Sequence, residues 1–120
     1  MARNVIPVFE MNKYNEAYPF DMVEGGAIDA ADGAEIDYAA RDDKMLIMLM
    51  NASESTVTVP VKAGNGRQGV CDLKIELAGA AAATLALESG RFKNVSGEDK
   101  GKVILAASAA GVGVMAFKLP

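Results

Sequence analysis

Ser55-Thr56-Val57-Thr58-Val59-Pro60-Val61-Lys62 alternates with a period of two, setting Val57, Val59 and Val61 on one side and Thr56, Thr58 and Lys62 on the other. A helix would bring residues three and four apart together, so this spacing belongs to a half-buried strand. Pro60 has no N–H to give to a ladder, which predicts an edge position or a bulge near the strand's end. Upstream, Met45 to Met50 is a continuous apolar run of strand length, expected to be buried on both faces, and Asn51-Ala52-Ser53-Glu54 reads as the turn after it.

The same period continues downstream. After the loop Gly64-Asn65-Gly66-Arg67-Gln68-Gly69, Cys71, Leu73, Ile75 and Leu77 alternate with Asp72, Lys74 and Glu76, a half-buried strand with Cys71 as a small core residue. Ala78 to Glu88 has the composition of a helix, yet Thr84, the flanking Gly79 and Gly90, and the neighbouring strands favour extended structure. Ser89 to Lys93 is expected to form one helical turn capped by Ser89, with Phe92 returning to the core. A polar loop from Ser96 to Gly101 leads into a strand at Lys102 to Ala106, and Val112 to Leu119 alternates and closes the chain. Short strands joined by Gly-rich turns predict an all-β fold, an antiparallel β-sandwich or barrel-like arrangement of about 6–8 strands.

Residues 1–43 keep no period for long. Asn4 to Phe9 reads as a strand interrupted by Pro7, and Gly25 to Gly33 as loop with short β pieces near Ile28 and Ile36-Asp37-Tyr38. This segment is expected to be an acidic N-terminal arm, partly extended and packed on its own or a neighbouring subunit, with 44–120 as the β-sandwich domain. The charge changes at the same place. Ten acids face three bases before Lys44, and six acids face nine bases from Lys44 onward, so a segment of net −7 precedes one of net +3. Surfaces of opposite sign in one small protein point to self-association or docking. Five of the seven aromatics, Phe9, Tyr14, Tyr18, Phe20 and Tyr38, lie in the acidic segment. Phe9, Tyr14, Tyr18 and Phe20 are the candidate interface residues, because buried aromatics dominate interface energies.

Composition narrows the chemistry. With 120 residues the chain suits one domain. With no His and one Cys it lacks the usual base of a nucleophilic triad and the usual zinc ligands, so catalytic and metal residues are none and no cofactor is expected. Gly64 to Gly69 matches the G-x-G-x-x-G pattern of dinucleotide sites, but period-two alternation follows it where that fingerprint needs a helix; it is read as a flexible connection. Asp29, Asp32, Glu35 and Asp37 cluster in the manner of calcium ligands, yet Ala31 and Gly33 occupy the EF-hand ligand positions, leaving only a looser site in 29–37 open. Asp42 and Asp43 are expected to point apart. A pI near 4.8 argues against nucleic acid, and the longest apolar run falls far short of the roughly 20 residues of a membrane span, so neither nucleic acid nor membrane is expected as partner. A reducing, cytoplasmic place of synthesis follows from the lone Cys71 and the lack of an apolar leader.

From Lys44 onward, the apolar strand entering Asn51-Ala52-Ser53, the strand Thr56-Val57-Thr58-Val59, the Gly-rich loop leading to Asp72-Leu73, Glu88-Ser89-Gly90-Arg91-Phe92, Gly101-Lys102-Val103 and the ending Phe117-Lys118-Leu119 resemble small phage virion proteins of the head decoration, or capsid cement, type. The resemblance covers about 77 residues, 44–120. The acidic segment is longer than that family would have. What the resemblance implies is a non-enzymatic bacteriophage protein, located in the virion after synthesis in the host cytoplasm, that binds the major capsid protein on the capsid exterior and stabilises it. It also implies self-association as a homo-oligomer, a trimer being one form. The alternatives are a carbohydrate-type ligand-binding module, stacking sugars on Tyr14, Tyr18 or Tyr38, or another head or tail structural component.

Overall fold

The structure is a computed structural model that describes residues 3–11, 13–17, 19 and 26–120. Its strands are β1 (Asn4–Ile6), β2 (Val8–Glu10), β3 (Gly26–Ala27), β4 (Ala34–Asp37), β5 (Met45–Asn51), β6 (Val57–Val61), β7 (Leu73–Leu77), β8 (Ala82–Leu85), β9 (Lys102–Leu105) and β10 (Val112–Lys118), with a 3-10 turn at Asp42–Lys44 and a helical turn, α1 (Ser89–Phe92). They form two five-stranded sheets, β1-β4-β9-β6-β7 and β2-β10-β5-β8, the latter with β3 also on β10. Neither path closes on itself, so the fold is a β-sandwich and not a barrel.

Alternation decides which side of each strand is buried. Val57, Val59 and Val61 of β6 and Ile47 and Leu49 of β5 are at most 1% exposed. With Val103 and Leu105 of β9 and Val112, Val114 and Ala116 of β10 they fill the space between the sheets. The other side of β5 is only half buried, a correction to the expectation of burial on both faces. There Leu46 pairs with Phe117, and Phe117 with Phe9, making a small apolar row on the outside of the second sheet.

The described parts of 1–43 contribute β1 to β4 to this sandwich. Ile6, Ile28, Ala34, Ile36 and Tyr38 belong to the same core as the valines of β6. β1 and β2 are halves of one extended run broken at Pro7, where the chain passes from the first sheet to the second. Both halves pair in parallel, β1 with β4 and β2 with β10, so the sheets are mixed where sequence pattern predicts antiparallel pairing alone. Each partner lies a long connection away, which parallel pairing requires.

Pro60 is also corrected. β6 is an inner strand, lying between β9 and β7. Lys62 N–H donates to Ile104 O at 2.8 Å and Ala106 N–H to Pro60 O at 3.0 Å, so the main chain of Thr58, Pro60 and Lys62 faces β9. The ladder to β9 is one residue pair, Val61 with Leu105, and it has run out where the proline ring sits. Beyond it Thr58 N–H is satisfied by the Ser108 hydroxyl at 3.0 Å. Proline is accommodated because only its carbonyl is used toward β9 and no N–H is asked of it.

The turn at Ser89 forms as α1, but Glu88 is the N-cap and no side chain of its own segment caps it. Asp42 does so from a distance, its Oδ2 accepting from Ser89 N–H at 3.0 Å. Gly64-to-Gly69 is tied down on α1 and the residues after it. Gly64 N–H donates to Arg91 O, and Asn65 bonds Val95 N–H at 2.7 Å and Ser96 O at 2.9 Å. A side chain at Gly64 would place its Cβ 2.5 Å from the Lys93 carbonyl oxygen, and at Gly69 it would collide with the Gly64 carbonyl. Gly64→Ala is therefore expected to cost about 1–3 kcal/mol, read as a lowered urea midpoint, since backbone must move to admit it. An unchanged midpoint would mean that the loop is free of α1.

Candidate functional site

Phe9 packs on the chain's own C-terminal strand, and Tyr14 bonds Pro120, just past its far end. The Phe9 ring lies 5.8 Å from that of Phe117, tilted by 40°. Tyr14 donates to Pro120 O at 3.0 Å and accepts from Lys44 Nζ at 3.2 Å, while the Lys44 ammonium also bonds Pro120 O and lies 5.7 Å from the tyrosine ring. Tyr14 nevertheless keeps 70% of its surface exposed, so it can latch the N-terminal segment and still present a ring outward. Tyr18 and Phe20 lie outside the described residues. Tyr38, by contrast, is wholly buried, and so is unavailable for stacking on a sugar.

The opposed charges of the two segments meet inside one chain. Glu35 of β4 accepts from Lys102 of β9 at 2.6 Å and lies 3.6 Å from Arg3 Nε, and Arg3 continues to Asp99. The carboxylate beside it holds the Lys102 ammonium above its ordinary pKa, chiefly through that hydrogen bond. Lys118 approaches Glu10 at 4.0 Å. Ion pairs this exposed add little stability each, but their placement matches acidic β4 and β2 to basic β9 and β10. At least part of the charge contrast is thus spent on the chain's own packing.

The acidic residues of 29–37 do not converge. Asp29 Oδ1 accepts from the N–H groups of Ala31 and Asp32, which hold its pKa below the ordinary carboxylate value, and Glu35 is committed to Lys102 and Arg3. Asp32 Oδ2 is buried with no hydrogen-bond partner among the described residues. Among the described residues no group of three or more Asp, Glu or Cys is placed to hold a metal. Asp42 and Asp43 do part, the first to Ser89 N–H and the second to Arg41. Cys71 is exposed and precedes β7, a correction to its expected core position: the chain bends there, and Asp72 turns back to accept from Ala63 N–H at 2.8 Å. A cavity of about 400 Å³ opens between α1 and the 94–101 loop, lined by Ser89, Gly90, Lys93, Asn94, Val95, Lys100 and Gly101, with no aromatic ring.

The two ends of the sandwich differ. On the side of β1 and β3, Asn4 Nδ2 donates to Ala27 O at 2.9 Å and buttons one sheet to the other. On the opposite side the sheets end in β7 and β8, and no strand among the described residues lies beyond either. β7 pairs with β6 through Leu73, Ile75 and Leu77, because Val57, Val59 and Val61 turn their main chain that way. The N–H and C=O groups of Lys74 and Glu76 consequently point outward, unpaired among the described residues. In β8, Asn51 N–H donates to Ala81 O at 2.9 Å, so the phase turns the groups of Ala82 and Thr84 outward. Nothing in the pattern of a strand says whether it has one neighbour or two, and sequence reading passes over this open side.

No helix among the described residues is long and apolar enough to cross a membrane. Compared with family models, curated proteins and solved structures, the chain finds no match.

Proposed function

We propose that the protein is a bacteriophage structural protein that binds the exterior of a capsid through its major capsid protein, self-associates, and acts without catalysis. The observation that supports this most is the open side of the sandwich, where β7 and β8 offer unpaired main-chain groups to another chain. Strand edges of this kind are templates for adding a further strand. On a repeating lattice many weak contacts of that sort add up to durable attachment. The exposed ring of Tyr14, held beside Lys44 and Pro120, supplies a second anchor. A sugar-binding module is less well supported, since Tyr38 is buried and the cavity beside α1 carries no ring.

The test is co-sedimentation of purified protein with capsids, together with its mass by light scattering. Retention on capsids and a mass above that of the single chain are expected. A monomer that stays in the supernatant with every capsid offered would overturn the proposal. Deleting residues 1–20 is a poor substitute for this test, because it removes β1 and β2 and takes Ile6 out of the core.

A further inference from the structure

We infer that β7 pairs with β7 of a second copy, antiparallel and about a two-fold axis through Ile75, joining the first sheets of two molecules into one. This rests on the self-associating reading above and names the surface that performs it.

The argument begins with Leu73-Lys74-Ile75-Glu76-Leu77, which reads as a charge palindrome. In a two-fold antiparallel pair centred on Ile75, Lys74 stands opposite Glu76 of the second copy, Glu76 opposite Lys74, and Leu73 opposite Leu77. The main-chain phase agrees. Lys74 and Glu76 are the residues whose N–H and C=O groups point away from β6, so they are the ones able to exchange bonds across the new pair. Their side chains are exposed, and neither has an ion-pair partner among the described residues. Cross-strand Cβ atoms in such a pair come within about 5 Å, close enough for each lysine to reach its glutamate. A shift of one residue would reverse the faces, and a shift of two, which keeps them, would set Lys74 against Lys74 or Glu76 against Glu76 of the other copy, so the charges also fix the register.

Burial points the same way. Leu73 is 40% exposed and Ile75 is only partly covered, although both lie on the core side of the strand. A further strand against β7 would cover them, as β6 is covered by its two neighbours. The second edge, β8, has no charged residue, and so nothing in it selects a partner or a register. A surface that matches its own two-fold image is the mark of an isologous contact between identical chains.

Charge exchange tests the pairing. Lys74→Glu sets a new carboxylate against Glu76 of the other copy, and Glu76→Lys sets a new ammonium against Lys74. Each single variant is therefore expected to raise the dissociation constant of self-association about tenfold or more in sedimentation equilibrium. The double variant, with the charges swapped, is expected to recover it. An equimolar mixture of the two single variants is expected to form a heterodimer, since every opposed pair is then complementary. Both positions are exposed, and an unchanged circular dichroism spectrum establishes that the variants fold. Wild-type protein that self-associates while the single variants do so equally well overturns the β7 pairing and leaves the capsid reading standing. A mixture that fails to recover association overturns it too. A wild-type monomer up to about 0.5 mM overturns self-association at this edge, and capsid co-sedimentation then decides the wider proposal separately.

Discussion

Tyr38→Ala is expected to destabilise the protein by about 3–5 kcal/mol. The ring is wholly buried in the core. Its hydroxyl donates to Leu87 O at 3.0 Å and accepts from Leu87 N–H at 3.2 Å. Truncation therefore leaves a cavity and orphans a buried donor and acceptor at once. Tyr38→Phe separates the two contributions: it keeps the ring and removes only the hydroxyl, for an expected loss of about 1–3 kcal/mol. Urea unfolding of both variants measures the difference. A Phe variant as stable as wild type would show that the Leu87 bonds contribute nothing. The hydroxyl also gives a pH signature. Burial pushes its pKa above the ordinary value of 10, against the smaller opposing pull of the Leu87 bond. The unfolded chain then ionises first, so this contribution is intact below pH 10 and is lost as pH rises above it. Lys102, also raised, acts in the same direction, and the Phe variant isolates the tyrosine's share.

Asn51→Asp is expected to cost about 3–5 kcal/mol at pH 7, comparable to leaving a charge buried without its partner. Asn51 is 2% exposed and ends β5. Its Nδ2 donates to Ser55 O at 2.8 Å, Leu77 O at 3.0 Å and Ala78 O at 3.2 Å, while Oδ1 accepts from the N–H and hydroxyl of Ser53. One side chain thus joins the end of β5 in the second sheet to the end of β7 in the first and shapes the turn between β5 and β6. The substitution changes one NH2 group to oxygen and sets a carboxylate against three carbonyls. That environment raises the new group's pKa, so the penalty is present above the unfolded carboxylate value near 3.9 and shrinks, relative to wild type, as acid protonates it. Chemical denaturation at pH 7 and pH 4 checks both halves. A penalty that does not vary with pH would rule out the charge as its cause.

Asn51 and Tyr38 also show where reading the sequence stops. Asn51 reads as the first residue of a polar turn, and in the structure it is the bracket between two sheets; only the approach of Leu77 and Ala78, some 26 residues away, makes its amide valuable. Tyr38 reads as one aromatic of an irregular acidic arm, and it is core because β4 lies beside β9. The β pieces near Ile28 and Ile36 are legible as short strands, but their partners are not. Cys71 is misplaced for a related reason: the alternation that includes it continues past the true start of β7, and the bend at Asp72 depends on Ala63. Phe9 reads as a candidate interface aromatic, yet its use against Phe117 comes from a parallel pairing of β2 with β10.

By itself, then, the sequence determined where the strands of 44–120 lie and, where residues alternate, which side is apolar, from the valines of β6 to the closing alternation of β10; the continuous apolar run of β5 left its side open. Alternation is a property of neighbours along the chain, and a side chain's face follows from its own position. The tertiary structure decided which strand is inner and which is an edge, why Pro60 is tolerated beside β9, and how acidic β4 meets basic β9. It also left Lys74 and Glu76 on an open edge. Those facts depend on which distant segment supplies the next hydrogen-bonded strand, and no local period carries that information.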